Sequence, residues 1–502
     1  MDDAIRWGAG PIAAGGAAMA AVLALSSPAA GSGLYFSERG VRPLGRGGAF
    51  IAGADDLGAI WHNPAGIYDA GSQILVDASW LHFTADYTRQ GIVEQVDPNT
   101  GQVVARFEQS HPTVQGVAPV MPIPTLALSY QLHPEWVLAF GLEAPYAAIT
   151  SFPDSVNGRP APQRHALITL DGSLLSMAGL WAAYAPTDEW RFGLGVEVLF
   201  GRFVSTQVLS GCPPDRFICA PEAPEWEILS QVTAGPIFSP SANLGAQWLF
   251  HPGWRAGMAF QLPFWVRAPA DLQVRLPSTP MFERAYLEGS DADIAFELPW
   301  SLRLGVEWEP IENLRVELAG VFEGWSIHDE ITIDPDGMAM REVVGFPDPF
   351  FVPEVNIPRN FRDTGAVRLG GEYLFEAFGV GWEPRLGVGF ESSAIPTEYL
   401  SATTVDLPKL TVGVGLGLHI DSWRFDVVYA HVFGFDVEVD PDEAAVPIQT
   451  PMAAYEPDPY TINGGLYQAR ANVLGAGLRY EFDVIPPLGR EAEDEEPAAP
   501  AP

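Results

Sequence analysis

The chain carries only two cysteines in 502 residues and 27 basic side chains against 63 acidic ones. After residue 31 no apolar run reaches the ~18 residues that a transmembrane helix needs. Each shortage excludes something. A formal net charge of −36 repels a polyanion, which removes nucleic acid as a partner. Cys212 and Cys219, in GCPPDRFIC, have no histidine beside them and make a poor metal site; in an oxidising compartment they are expected to close a small loop as a disulfide. No nucleotide-binding loop, zinc-spaced histidine pair or nucleophile elbow occurs, so neither metal, cofactor nor enzymatic activity is expected.

What is abundant points to strands. The chain has 51 glycines, 46 prolines and 11% aromatic residues at a mean hydropathy of +0.08, a composition of many strands and turns rather than a helical bundle. Length alone suggests about three domains, a prior that large β architectures break. Residues 1–30 read as a secretory signal: Arg6 precedes an apolar run to Leu25, and Ser27-Pro28-Ala29 or Ala29-Ala30-Gly31 suits cleavage. Asp2 and Asp3 offset the positive start, so a start codon near Met19 or upstream is an alternative expectation, with export the favoured reading.

Six tight turns are legible: His133-Pro134-Glu135, Pro186 to Glu189, His251-Pro252-Gly253, Pro310 to Asn313, Ala377-Phe378-Gly379 and Asp421-Ser422. Five lead into a tryptophan, Trp136, Trp190, Trp254, Trp382 or Trp423, as an aromatic girdle at one membrane interface does. Long excursions alternate with them, at roughly 89–120, 147–170, 206–239, 276–295, 326–362, 393–408 and 437–465. Short turns at one end and long loops at the other describe a transmembrane barrel, and the landmarks divide it into fourteen antiparallel strands. Alternation then assigns the faces. Arg191-Gly193-Gly195-Glu197 opposes Phe192, Leu194 and Val196, and Arg303-Gly305-Glu307, Arg368-Gly370-Glu372, Arg385-Gly387-Gly389-Glu391 and Gly475-Gly477-Arg479-Glu481 repeat the pattern. Glycine beside charge on the polar face implies a thin-walled lumen that holds something, with Arg and Glu in ion-pair ladders near the short turns.

The segment from Ser37 to Ile67, SERGVRPLGRGGAFIAGADDLGAIWHNPAGI, is too small and too glycine-rich to bury a core by itself. With its Gly/Ala run, paired Asp55-Asp56 and Asn63-Pro64-Ala65, it resembles the amino-terminal hatch of the FadL family of outer-membrane transporters. Further similarity lies at Pro124 to Tyr130, Phe140 to Tyr146, Leu174 to Tyr184, Trp254 to Pro263 and Leu474 to Phe482, so that residues 33 to 482 are covered. The resemblance implies an all-β, 14-stranded barrel over 71–482, plugged by a hatch at 31–70, in the outer membrane of a Gram-negative bacterium. An acidic tail at 483–502, rich in Pro, Ala and Glu, is expected to be disordered and periplasmic.

It also implies a function, the uptake of long-chain fatty acids or other hydrophobic molecules. Ligand is captured among outer loops, moves to a luminal pocket beside the hatch and leaves sideways into outer-membrane lipid through a kink in the third strand. By position, Asn63, Pro64 and Ala65 are the hatch elements at that kink, and Gly141 and Pro145 are where strand Trp136 to Tyr146 can part from its neighbours. Phe36, Arg39, Arg42, Arg46 and Phe50 are candidates for the inner pocket; the arginines could bind a carboxylate head or equally hold the plug to luminal Glu or to Asp55 and Asp56. Phe217, Trp226, Phe282, Phe350 and Phe351 are candidates for capture, or else for an upper girdle. A monomer is expected. Two other readings remain open: a general diffusion porin, and an outer-membrane lipid hydrolase using His82, His165 or His419, although no serine is placed with any of them by a motif.

Overall fold

A chain that crosses lipid with strands must pair every backbone group within the wall, and only a closed sheet does so. The structure, a computed structural model, describes residues 39–96, 103–118, 122–144, 150–213, 219–452 and 460–482. The expected signal peptide, the acidic tail, Phe36, Pro145 and Phe217 lie outside the described residues.

Fourteen antiparallel strands form the wall. β1 is Gln73–Val96, and β2 is Pro122–His133 with outer pieces Val103–Ser110 and Val114–Val117. Then follow β3 Trp136–Glu143, β4 Leu174–Tyr184, β5 Trp190–Ser210 and β6 Glu227–His251. The next four run in two pieces each: β7 Trp254–Gln261 and Phe264–Arg275, β8 Asp291–Leu298 and Trp300–Ile311, β9 Leu314–Gly324 and Glu330–Pro335, β10 Val355–Pro358 and Thr364–Tyr373. β11 Val380–Glu391, β12 Lys409–Ile420, β13 Trp423–Gly434 with Val437–Val439, and β14 Gly465–Glu481 complete the circuit. β14 closes on β1 in one unbroken register, from Gln73↔Glu481 to Arg89↔Gly465.

The six tight turns join β2–β3, β4–β5, β6–β7, β8–β9, β10–β11 and β12–β13, all at one end. Their tryptophans stack on aromatic neighbours across the wall: Trp136 on Tyr184 at 4.4 Å, Trp190 on Trp248 at 5.3 Å, Trp254 on Trp308 at 5.5 Å. Trp382 differs, being half-buried and donating Nε1–H to the Ala377 carbonyl at 3.2 Å. At the other end the excursion at 206–239 proves to be largely wall. β5 and β6 are 21 and 25 residues long, because Val208, Ile228 and Val232 turn apolar side chains inward above the membrane and pack there.

Inside lies the N-terminal segment, made of α1 (Val41–Gly45), α2 (Ala59–His62), a 3-10 turn at Pro64–Gly66 and α3 (Ile67–Ala70). Helices of four or five residues do not persist alone. These are held by contact with the wall, and the wall glycines make that contact possible. A Cβ at Gly193 would lie 2.2 Å from Pro64 C, at Gly370 1.9 Å from Arg46 O, and at Gly387 2.0 Å from Arg46 C.

Valine at both Gly370 and Gly387 is therefore expected to unseat the plug while leaving the wall intact. Planar-bilayer recordings should show a large rise in ionic conductance, with far-ultraviolet circular dichroism unchanged.

Candidate functional site

The lumen has two storeys of different chemistry. The periplasmic storey is an ion-pair network shared by plug and wall. Arg46, fully buried, reaches Glu307 at 2.7 Å, Glu317 at 3.2 Å and Glu372 at 3.2 Å. Arg42 pairs with Asp55, with Asp56 at 2.9 Å and with Glu372 at 2.5 Å. Glu317 also accepts the backbone N–H groups of Ile51, Ala52 and Gly53 at 2.6, 3.0 and 2.9 Å, which explains a plug segment without side chains to spare there. Arg315 on β9 joins Asp55 at 2.6 Å to Glu307 at 2.8 Å, and Arg479 on β14 joins Asp56 to Asp426. Of the alternatives left open for the arginines, Arg42 and Arg46 hold the plug. Phe50 is buried beneath both guanidinium groups, at 5.2 and 5.4 Å, and so belongs to the plug core.

Asn63-Pro64-Ala65 packs against β5 and β6, not against β3. The Asn63 side chain donates to the carbonyls of Ile51 at 2.8 Å and Ala246 at 3.1 Å, and its Oδ1 accepts Ala65 N–H. Room for it comes from Gly193 and Gly245, where a Cβ would lie 2.2 Å from Pro64 C and 2.1 Å from Asn63 Oδ1. Gly141 leaves no gap either: β3 is paired on both sides, Gly141 to Ala127 and to Gly179, and the missing side chain admits Ile60 and Trp181.

Above the plug the chemistry changes. Trp61, a plug residue that sequence reasoning did not single out, lies between the guanidinium groups of Arg39 at 5.7 Å and Arg303 at 5.0 Å, and Arg303 donates to its carbonyl at 2.6 Å. Trp61 is also the lowest member of an apolar cluster that fills the outer storey, with Met177, Leu199, Phe264, Trp325 and Phe361. The polar rim of this floor includes the buried carboxyls Glu143 and Glu197, the latter accepting Gln261 Nε2–H at 2.8 Å. The inward alternation of β3 and β5 marks both positions in the sequence, but alternation cannot say at which depth the plug stops.

At the outer rim Trp226, Phe282 and Phe350 come together in one cluster with Met340, Val343 and Met452, Trp226 meeting Phe282 edge-on at 6.3 Å. Phe351, by contrast, points outward and is 63% exposed. The loop that delivers Trp226 is closed by the Cys212–Cys219 disulfide and tied down by the buried Arg89, which reaches Glu222 Oε2 at 2.7 Å.

A family model described as "Outer membrane protein transport protein (OMPP1/FadL/TodX)" matches residues 21–482. The chain belongs to the FadL family. Among solved structures, a Pseudomonas aeruginosa FadL homologue aligns with a TM-score of 0.65 at 14% identity, over 90% of this chain and 100% of that one. The Pseudomonas putida toluene transporter TodX gives 0.59 at 14%, over 89% and 99%. The Ralstonia pickettii toluene transporter TbuX gives 0.52 at 15%, over 89% and 99%. At such identities these are likenesses of fold. No curated protein matches the chain in sequence. As a FadL-family barrel the protein resides in the Gram-negative outer membrane and transports hydrophobic compounds; it is not an enzyme. In this FadL-type lumen His419 serves the network, its Nε2 lying 2.8 Å from Glu383, and His165 is buried under the outer loops.

Two outcomes follow for the lower storey. Arg46→Met leaves buried Glu317 without a guanidinium partner, while Arg315 and Arg42 still meet Glu307 and Glu372, a loss of order 3–5 kcal/mol, and should lower the unfolding midpoint and open an ionic leak. Its dependence on pH has a definite sign. Burial pushes the Asp56 carboxyl up, but Arg479 and Arg42 outweigh burial and hold it below the usual 3.8. A carboxyl so depressed stabilises the folded state at every pH above its unfolded value, and the contribution fades only as pH falls through the lower folded one. Asp56→Asn should thus lower the unfolding midpoint relative to wild type at pH 7 and keep that difference down to about pH 4; a difference already lost at pH 5 would contradict this assignment.

Proposed function

We propose that this protein carries small neutral apolar molecules across the outer surface of the membrane and releases them sideways into lipid. Ligand is captured at the rim by Trp226, Phe282 and Phe350, descends into the apolar storey above Trp61, and stops there because the plug blocks the periplasmic half. The observation that carries this reading is the division of the lumen: an apolar rim cluster and an apolar cluster in the outer storey stand over a floor locked by ion pairs.

Such a path favours ligands by burial alone, at ~0.8 kcal/mol per methylene. The neutral class is favoured because Arg42 and Arg46 are already met by Asp55, Asp56, Glu307, Glu317 and Glu372, so neither is available to a fatty carboxylate. Aromatic hydrocarbons, which the names of TodX and TbuX associate with those proteins, fit this chemistry. One chain suffices, since the closed sheet leaves no edge to pair.

Proteoliposomes containing the purified barrel should take up radiolabelled toluene faster than protein-free liposomes and faster than they take up hexadecanoate, while passing little ionic current. Trp226→Ala with Phe282→Ala should cut toluene uptake several-fold at unchanged protein content. Faster hexadecanoate uptake would overturn the neutral-ligand assignment, and high conductance would favour the diffusion-porin reading.

A further inference from the structure

Between β6 and β7 the wall is not a continuous ladder. Pairing runs up to Asn243↔Gln261, stops, and resumes at Ala234↔Ala270. Both ends belong to one register, so residues 235–242 of β6 face residues 262–269 of β7 without forming ladder pairs. The cause lies in two irregularities at opposite ends of this stretch. In β6 the inward face is even-numbered up to Ala234 and odd-numbered from Ile237, the phase changing at Gly235-Pro236. In β7 it is odd-numbered up to Gln261 and even-numbered from Phe264, the phase changing at Leu262-Pro263.

Between the two, the shared register would set inward Ser239 against outward Trp265, and outward Phe238 against inward Val266. Only a register slipped by one residue, which sets inward Ser239 against inward Val266, restores the facing, and that register is out of step with the pairing on both flanks, so no single register runs through the stretch. Proline removes further donors. Ala242 turns its carbonyl to β7, accepting Leu262 N–H at 2.9 Å, and strand alternation then aims the nitrogen of Pro240 at β7, where it has no hydrogen to give. Two serine side chains bridge the strands instead: Ser239 Oγ donates to Trp265 O at 2.8 Å and Ser241 Oγ to Leu262 O at 2.9 Å.

Both sides of this seam are apolar. Inside are Ile237, Phe264 and Val266, members of the cluster that fills the outer storey; outside are Phe238, Leu262 and Trp265, exposed. Phe238 lies ten residues beyond the girdle residue Trp248, about 25 Å along the barrel axis for a strand tilted by about 40°, which places the seam in the outer-leaflet half of the lipid band.

We propose that the seam between β6 and β7 is a lateral passage through which an apolar ligand leaves the outer storey of the lumen for the membrane. This rests on the carrier reading above and adds where the wall parts. The serine bridges, the Leu262 N–H to Ala242 O bond and the Gln261 side chain, which donates to Ser241 Oγ at 3.1 Å, close the seam at rest, and a ligand pressing between Ile237 and Val266 meets these rather than a continuous ladder.

The test is a cysteine pair across the seam, Ser239→Cys with Val266→Cys, compared with Val414→Cys with Tyr429→Cys, opposite each other in the continuous β12–β13 ladder. Toluene uptake into proteoliposomes is read before oxidation, after it and after dithiothreitol, with wild-type protein treated in parallel to control for the native disulfide. Oxidation of the seam pair should lower uptake at least tenfold and reduction should restore it, whereas the β12–β13 pair should be unaffected. Uptake unchanged by a verified seam cross-link would overturn the passage while leaving the carrier reading intact. Absence of uptake by the wild type would defeat the carrier reading instead. A second measurement needs no cross-link: Ser239→Ala with Ser241→Ala should raise the uptake rate severalfold, and an unchanged rate counts against the seam.

Discussion

Charge buried in a lumen must be met by opposite charge, and this protein meets it by dividing the partners between two bodies. The wall supplies Glu307, Glu317, Glu372 and Asp426; the plug supplies Arg42 and Arg46 as well as its own Asp55 and Asp56. The wall's Glu317 meets its cation, Arg46, only when the plug is seated. An isolated plug would lack even a stable helix, and an empty barrel would leave Glu317 buried without its cation, although Arg315 and Arg479 would still meet Glu307 and Asp426. The glycines of the lower wall follow from the same demand, since ion pairs this close require backbone to lie against backbone.

The upper storey is what remains when that demand has been met. Above the network the inner faces of β4 to β9 turn largely to Met, Leu, Phe and Val, and the outer loops fold in to cover them, with Arg89 and Arg164 paired to Glu222 and Glu227 beneath those loops. On the proposed route a solute passes from the rim cluster to the apolar cluster above Trp61, which is held by two guanidinium groups. In the proposed carrier such a floor would turn a vertical path into a lateral one. It rejects water-borne ions and also gives an apolar solute no reason to continue downward.

Much of this was legible from residues alone. Period-two alternation with charge and glycine on one face, Arg303-Gly305-Glu307 for example, specified the wall, and the six tight turns with their tryptophans specified its orientation. The contact made by Asn63-Pro64-Ala65 was not legible. Position in a motif says that a turn docks, while the glycines that receive it, Gly193 and Gly245, lie on strands that read like any others. The length of β5 and β6 was hidden for a related reason, because TQVLS and EILSQV alternate weakly and read as loop until their partners are known. The phase change in β7 is written in the sequence as Leu262-Pro263, but it acquires meaning only opposite Gly235-Pro236, and register between strands is not a local property.

The hydrogen bond from Arg479 to Asp56 spans 423 residues, and the partners of Arg46 on β8 to β10 lie more than 260 residues away. The plug is thus the segment whose partners lie farthest along the chain. Its seating cannot precede the final hairpins, and a lumen already closed by β1 and β14 leaves it no side entrance. Assembly must then be ordered, with the plug threaded into an open, curling sheet before the first and last strands join. Loop-closure entropy of that size makes the step slow, and until it is complete the nascent wall keeps its two edges unpaired, at the stage when a chaperone or insertase has most to do.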